Sequence, residues 1–130
     1  MDEEKIKELI IKMEVAALEE WNKGNPSEYL KIYSPDITYF DPFQEARIDG
    51  LDKMTTFYES LRGASCVNRY EIINPIVEVT ERMAVLSYNL YSYSGENVYK
   101  WNCTEVYILN ESNEWKVIHN HWSFIKPLDK

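Results

Sequence analysis

The side chains best suited to chemistry are two acids, two imidazoles and the aromatic rings around them. Asp41 stands directly before Pro42, at the end of the alternating stretch Ile37 to Asp41. A carboxylate at a strand end that faces an aromatic interior is pushed up by desolvation and can serve as a general base. The plain alternative is that Asp-Pro opens a turn. Glu105 lies in the middle of the strand-like run Thr104-Glu105-Val106-Tyr107, where Glu is disfavoured and costly to bury unpaired. Facing inward it is a ligand anchor or a second acid–base group beside Asp41. Facing outward it is solvated, or paired with a cation such as Arg69. Asp41 and Glu105 are therefore the catalytic candidates.

His119 and His121 are two apart on a strand and point the same way. Imidazole pairs bind zinc, but a catalytic zinc site needs a third protein ligand, and these two are the only histidines. No metal site is expected, and hydrogen bonding within the sheet or at an interface is the reading of the pair. His121 joins Tyr39, Asn89, Tyr91 and Trp122 as a candidate ligand contact. Asn89 and Tyr91 fall in phase with Ser87 on a semi-polar face that is expected to line a cavity. Leu86, Tyr88 and Leu90 then form the opposite face, part of it a dimer surface. Neither Cys66 nor Cys103 sits in a His-acid context, no serine elbow occurs, and the four glycines are isolated, so covalent catalysis and phosphate loops find no support.

The elements that must hold these groups are legible from periodicity. Residues 101–123 read as two strands around the turn Asn110 to Glu114, and they carry Trp101, Glu105, His119, His121 and Trp122. Upstream, Ile6, Leu9, Ile10, Met13, Ala17 and Trp21 form one helical stripe over residues 3–22, with Glu and Lys on the other face. Gly24 caps that helix, and Asn25-Pro26-Ser27-Glu28 starts a short one that runs through Tyr33. The segment Phe43 to Asp49 reads as a loop, and Leu51 to Leu61 as a third helix. Strands follow at 68–80, 83–93, 98–109 and 115–125, with Pro75 marking a bulge that curls the sheet. Helices first and long antiparallel strands afterwards make an α+β domain, and residues 1–130 are expected to be one domain.

Composition narrows the function classes. Of 130 residues, 22 are acidic and 14 basic, a net charge of −8. No Lys/Arg cluster offsets that balance, so nucleic acid and anionic membrane surfaces are not expected partners. No run reaches the ~18 apolar residues of a membrane span, and the acidic, amphipathic start is unlike a secretory signal. A cytoplasmic location is the expectation, with Cys66 and Cys103 as reduced thiols. Ten tyrosines and four tryptophans are more rings than a small core needs, and they suit a cavity or a subunit interface.

Laid out in this order, the chain resembles the nuclear transport factor 2-like superfamily, which includes SnoaL-like polyketide cyclases and ketosteroid isomerases. More narrowly it resembles the association domain of calcium/calmodulin-dependent protein kinase II, through Ile73-Asn74-Pro75, Thr104-Glu105-Val106-Tyr107, Trp115 to Val117, and His119-x-His121-x-Ser123. The resemblance implies a cone of N-terminal helices packed on a strongly curved sheet. That association domain lines its pocket with arginines, and the matching positions here hold Asn89, Glu105 and Trp122. The departure implies a neutral, aromatic or cationic ligand in place of an anionic one. The resemblance to ketosteroid isomerases places Asp41 at the position of the catalytic base, while the stretch that would hold the oxyanion-hole tyrosine, Glu14 to Ala17, has none. The implied function is a homodimer, or a higher ring, whose cavity binds a small organic molecule. The alternatives are a cofactor-free isomerase, cyclase or dehydratase using Asp41, and an association module. No cofactor is expected.

Overall fold

The computed structural model describes residues 2–64 and 67–126. Cys66, read above as a reduced thiol, and the tail Pro127 to Lys130 lie outside the described residues.

Helix α1 (Glu3–Asn22) begins where the Asp2 carboxylate accepts the backbone N–H of Glu4 at 2.9 Å, a cap that also favours the positive end of the helix dipole. It stops at Gly24, whose φ of 87° is the left-handed geometry that glycine adopts without steric cost. Helix α2 (Ser27–Ile32) follows, with the Asn25 side chain accepting the Ser27 N–H at 3.0 Å. Strands β1 (Tyr33–Phe40) and β2 (Ile48–Asp49) precede α3 (Leu51–Ser60), and β3 (Arg69–Val79), β4 (Met83–Ser94), β5 (Asn97–Leu109) and β6 (Trp115–Phe124) complete the chain.

Two departures from the sequence reading exceed a single residue at an element's end. Strand β1 starts at Tyr33 rather than Ile37, because Tyr33 already pairs with Val117 of β6, and the slip in register before Thr38 absorbs Pro35. The stretch expected to be a loop contains β2, which pairs with Thr38 and Tyr39. Two residues are too few to carry a period, so pairing alone defines this strand.

The strands form one six-stranded sheet in the order β2-β1-β6-β5-β4-β3. All neighbours are antiparallel except β1 and β6, which run parallel. The sheet is unclosed and strongly curved, and the helices pack on its inner face, which makes the α+β cone. Two bulges set which side chains face inward. One lies in β3 between Ile73 and Ile76, where Asn74 takes φ 52°. The other lies in β6, where Val117 and His119 pair with the consecutive residues Tyr107 and Val106, so Ile118 is the extra residue. Trp115 and Val117 on one side of this bulge and Asn120 on the other are therefore all buried on the inner face.

The buried stripe of α1 is rotated from the one expected. Ile10 is fully buried, whereas its neighbour Leu9 is 41% exposed. Ile10→Ala should accordingly cost about 2–5 kcal/mol of unfolding free energy, and Leu9→Ala about 0.5 kcal/mol or less. Urea denaturation of the two variants measures the contrast, and equal losses would contradict this orientation of α1.

Candidate functional site

The inner face of the sheet carries a layer of polar groups sealed inside aromatic rings. Across the strands the register runs Tyr39, Asn120, Glu105 and Leu86, one side chain from each of β1, β6, β5 and β4. By the same alternation Glu105 shares the inner face with Cys103 and Tyr107, all three buried. From above, α1 lowers Glu14 into this layer, and Glu14 is as sealed as the sheet residues, at 1% exposure.

Hydroxyls and amides organise the layer. Tyr29 of α2 donates to Glu14 Oε2 at 2.8 Å, and Tyr88 of β4 donates to the same oxygen. Tyr107 donates to Glu105 Oε1 at 2.8 Å. Tyr33 donates to Asn120 Oδ1 at 2.5 Å and lies 3.0 Å from the hydroxyl of Tyr58. The Trp122 indole also donates to Asn120 Oδ1, at 3.2 Å. Asn120 in turn donates to the Thr104 carbonyl at 3.2 Å and to Cys103 Sγ at 3.6 Å. This one carboxamide thus fixes a tyrosine, a tryptophan, a thiol and a backbone carbonyl.

Burial dominates the electrostatics. It pushes the Glu105 carboxyl well above the ordinary carboxylate range, and the nearby charge of Glu14 adds to the shift. Burial raises Glu14 as well, against the hydrogen bonds it receives. The Cys103 thiol and the Tyr29, Tyr33, Tyr88 and Tyr107 phenols are pushed up by the same desolvation and stay neutral. Donor atoms of Glu14, Cys103 and Glu105 lie within 4.8 Å of one another. A metal ion at this spacing would have to displace the protons that burial holds on the thiol and the carboxyls.

The candidates from sequence divide between the two faces. Glu105, Tyr39 and Trp122 lie on the inner face, and Trp122 packs edge-on against Tyr88 with ring centroids 6.2 Å apart. Asp41 sits at the rim, half-exposed, where it accepts the Tyr39 hydroxyl at 2.9 Å and the Phe43 N–H at 2.8 Å, the geometry of a turn cap. Asn89 and Tyr91, expected to line the interior, lie instead on the outer face. Their neighbours Tyr88, Leu90 and Ser92 are the buried ones, and Asn89 is tied to the Trp101 carbonyl and the Asn102 side chain at 3.0 and 2.7 Å. The alternation was right, but apolar bulk, not polarity, turns toward the helices. His121 is also on the outer face and exposed, beside Phe40 at 5.0 Å between ring centroids. His119 accompanies it there, with Nδ1 2.8 Å from the Thr38 hydroxyl; burial and the nearby His121 lower its pKa.

Sequence reasoning missed Glu14, Asn120 and the tyrosines of the layer. Glu14 was assigned to the polar face of the first helix, yet its spacing from Ile10, Ala17 and Leu18 is the i, i+4, i+7, i+8 pattern of one buried stripe. That spacing is the signal that could have found it. For Asn120, replacement by Leu removes the acceptor of the Trp122 indole and leaves the Tyr33 hydroxyl only Tyr58 as a partner. It should cost about 1–3 kcal/mol for the indole donor orphaned, read as a fall in thermal midpoint. Asp41→Asn should change stability by about 0.5 kcal/mol or less, since an amide oxygen caps the same turn.

Comparison with known proteins follows this geometry. Residues 6–125 match the calcium/calmodulin dependent protein kinase II association domain family. A candidate ketosteroid isomerase from Parabacteroides distasonis is 41% identical, with 95% of this chain and 91% of that one covered and a TM-score of 0.87. A nuclear transport factor 2-like protein of unknown function from Pseudomonas putida superimposes with a TM-score of 0.77 at 21% identity, over 96% of this chain and 89% of that one. The kinase II hub of S. rosetta does so with a TM-score of 0.70 at 17% identity, over 88% of this chain and 93% of that one. No curated protein matches. The curved sheet, the helices on its inner face and the match along nearly the whole chain agree: the protein belongs to the calcium/calmodulin dependent protein kinase II association domain family, within the nuclear transport factor 2-like superfamily.

Proposed function

We propose that the domain self-associates, with the outer face of its sheet as the contact between copies. The observation that supports this most is the makeup of that face. Ile76, Met83, Val85 and Val98 are each more than a third exposed. Met83 pairs with Ile108 and Val85 with Val106, so apolar groups of neighbouring strands lie side by side. Charged Arg69, Glu71, Glu78 and Lys100 are exposed toward the β3 edge and hairpin end of the same face. An apolar centre with charges beside it is how subunit interfaces are built, and monomers seldom leave contiguous apolar surface open. A two-fold axis through Val85 and Val106 sets the patch against its own copy. Membership in an association-domain family and the fold shared with a kinase II hub support the same reading.

A second reading keeps the interior as a small-molecule site. The sealed Glu105 inside an aromatic shell favours a neutral, aromatic or cationic ligand, with Trp122 and Tyr39 as walls. Asp41 at the rim would serve as base in a cofactor-free isomerase, and the 41% identical candidate ketosteroid isomerase supports that chemistry. Under this reading, native mass spectrometry finds a co-purified compound that is lost in Trp122→Ala, and Asp41→Asn lowers turnover about 100-fold or more.

Sedimentation velocity separates the readings. The wild-type domain should sediment as a dimer or larger at micromolar concentration, and Val85→Glu with Met83→Glu should sediment as a monomer of unchanged helix content. A wild-type monomer would overturn self-association.

A further inference from the structure

The two interior acids are joined in a way that neither reading above requires. Glu14 belongs to α1 and Glu105 to β5, and carboxyl oxygens of the two lie within 4.8 Å of each other, so the pair spans the helical layer and the sheet. Each carboxyl uses one oxygen toward tyrosines: Glu14 Oε2 accepts from Tyr29 and Tyr88, and Glu105 Oε1 accepts from Tyr107. The other oxygens, Glu14 Oε1 and Glu105 Oε2, are sealed from solvent and have no donor. Among the described residues neither acid takes part in an ion pair. The titratable groups that face the pair are Tyr29 of α2, Tyr33 of β1, Tyr58 of α3, Tyr88 of β4, and Cys103 and Tyr107 of β5, all of them neutral.

Two carboxylates in one dry site cannot both be ionised without a cation. A proton between the orphaned oxygens removes one charge and satisfies both atoms at once. We propose that Glu14 and Glu105 share a single proton, Glu105 as the acid and Glu14 as the carboxylate, and that this O–H···O bond latches α1 onto the inner face of the sheet. Glu14 is the better anion because three donors converge on it: Tyr29, Tyr88 and the Glu105 hydroxyl. Glu105 receives only Tyr107. Opening the latch transfers the Glu105 proton to water or hydroxide and leaves two facing carboxylates, whose repulsion pushes α1 from the sheet.

The direction with pH follows from the raised affinity for the proton. A carboxyl whose folded pKa lies above its unfolded one contributes stability below the unfolded value and loses it as pH rises through the folded value. The domain should therefore weaken on the alkaline side, from the ordinary carboxylate range upward.

The test is infrared difference spectroscopy together with thermal midpoints across pH, on wild type, Glu105→Gln and Glu14→Gln. The wild type should show a protonated-carboxyl C=O band at neutral pH that Glu105→Gln lacks. Glu105→Gln, whose amide still donates to Glu14, should melt about 4 °C or more above wild type in alkaline buffer and lose the alkaline fall. Amide hydrogen exchange of α1, corrected for its intrinsic base catalysis, should accelerate with pH in wild type only. Should Glu105→Gln fail to fold, Glu14→Gln reads the same band and the same pH profile. A wild type with no protonated-carboxyl band, variant and wild-type pH profiles that superimpose, or a stoichiometric metal ion in the purified protein would each overturn the proposal. The infrared band depends on neither subunit number nor turnover, and the midpoints are compared at one protein concentration.

Discussion

The interior of this domain is arranged around the burial of two carboxyl groups that, among the described residues, pair with no cation. A carboxylate taken from water into an apolar interior costs several kcal/mol unless hydrogen bonds replace its hydration. The fold answers by surrounding the acids with donors that carry no charge. Tyr29 and Tyr88 close on Glu14, and Tyr107 closes on Glu105. This arrangement accounts for much of the tyrosine content. These rings supply the apolar bulk of a core and, at the tip, the hydroxyl that an interior acid needs. The ring of Tyr58, which packs against Trp21, Tyr29, Tyr33 and Tyr39, extends the same layer toward β1.

The second organising feature is irregular pairing within the sheet. A strictly alternating β6 would send Asn120 and Trp122 outward once Trp115 and Val117 face in. The extra residue at Ile118 reverses the phase, so Asn120 arrives beside Glu105 and the histidines turn to the outer face. The bulge at Asn74 and Pro75 bends β3 in the same sheet. Curvature and side-chain placement thus have a common origin, and the cone and its polar layer form together.

The outer face bears the opposite relation to water. Its apolar residues, Ile76, Met83, Val85 and Val98 among them, are exposed, with no layer above them among the described residues. Solved structures that share this fold include a candidate ketosteroid isomerase and a kinase II hub. The inner face is closed and acidic, while the outer one is open and mixes apolar with polar and charged side chains. One fold can serve both because period-two alternation keeps the surfaces chemically independent.

Much of this was legible in the sequence. The limits of α1, the cap at Gly24, the hairpin of β5 and β6, the bulge near Pro75 and the order of helices before strands follow from local chemistry, which needs no knowledge of distant contacts. Alternation places Glu105 on one face with Cys103 and Tyr107 and leaves open whether that face turns inward. What alternation cannot state is which of two faces a neighbouring strand buries: Asn89 and Tyr91 carry the same phase whether the helices sit above or below them. Glu14 is a charged residue inside a stripe of apolar ones, and only the tyrosines brought by α2 and β4 make its burial tolerable. The sequence by itself determined the elements, their order and the acids at stake, because periodicity and caps are short-range. Only the tertiary structure decided that Glu14 meets Glu105 while Asp41 stays at the rim, because that outcome depends on the rotation of α1, the bulge in β6 and hydrogen bonds between residues as far apart as Tyr33 and Asn120.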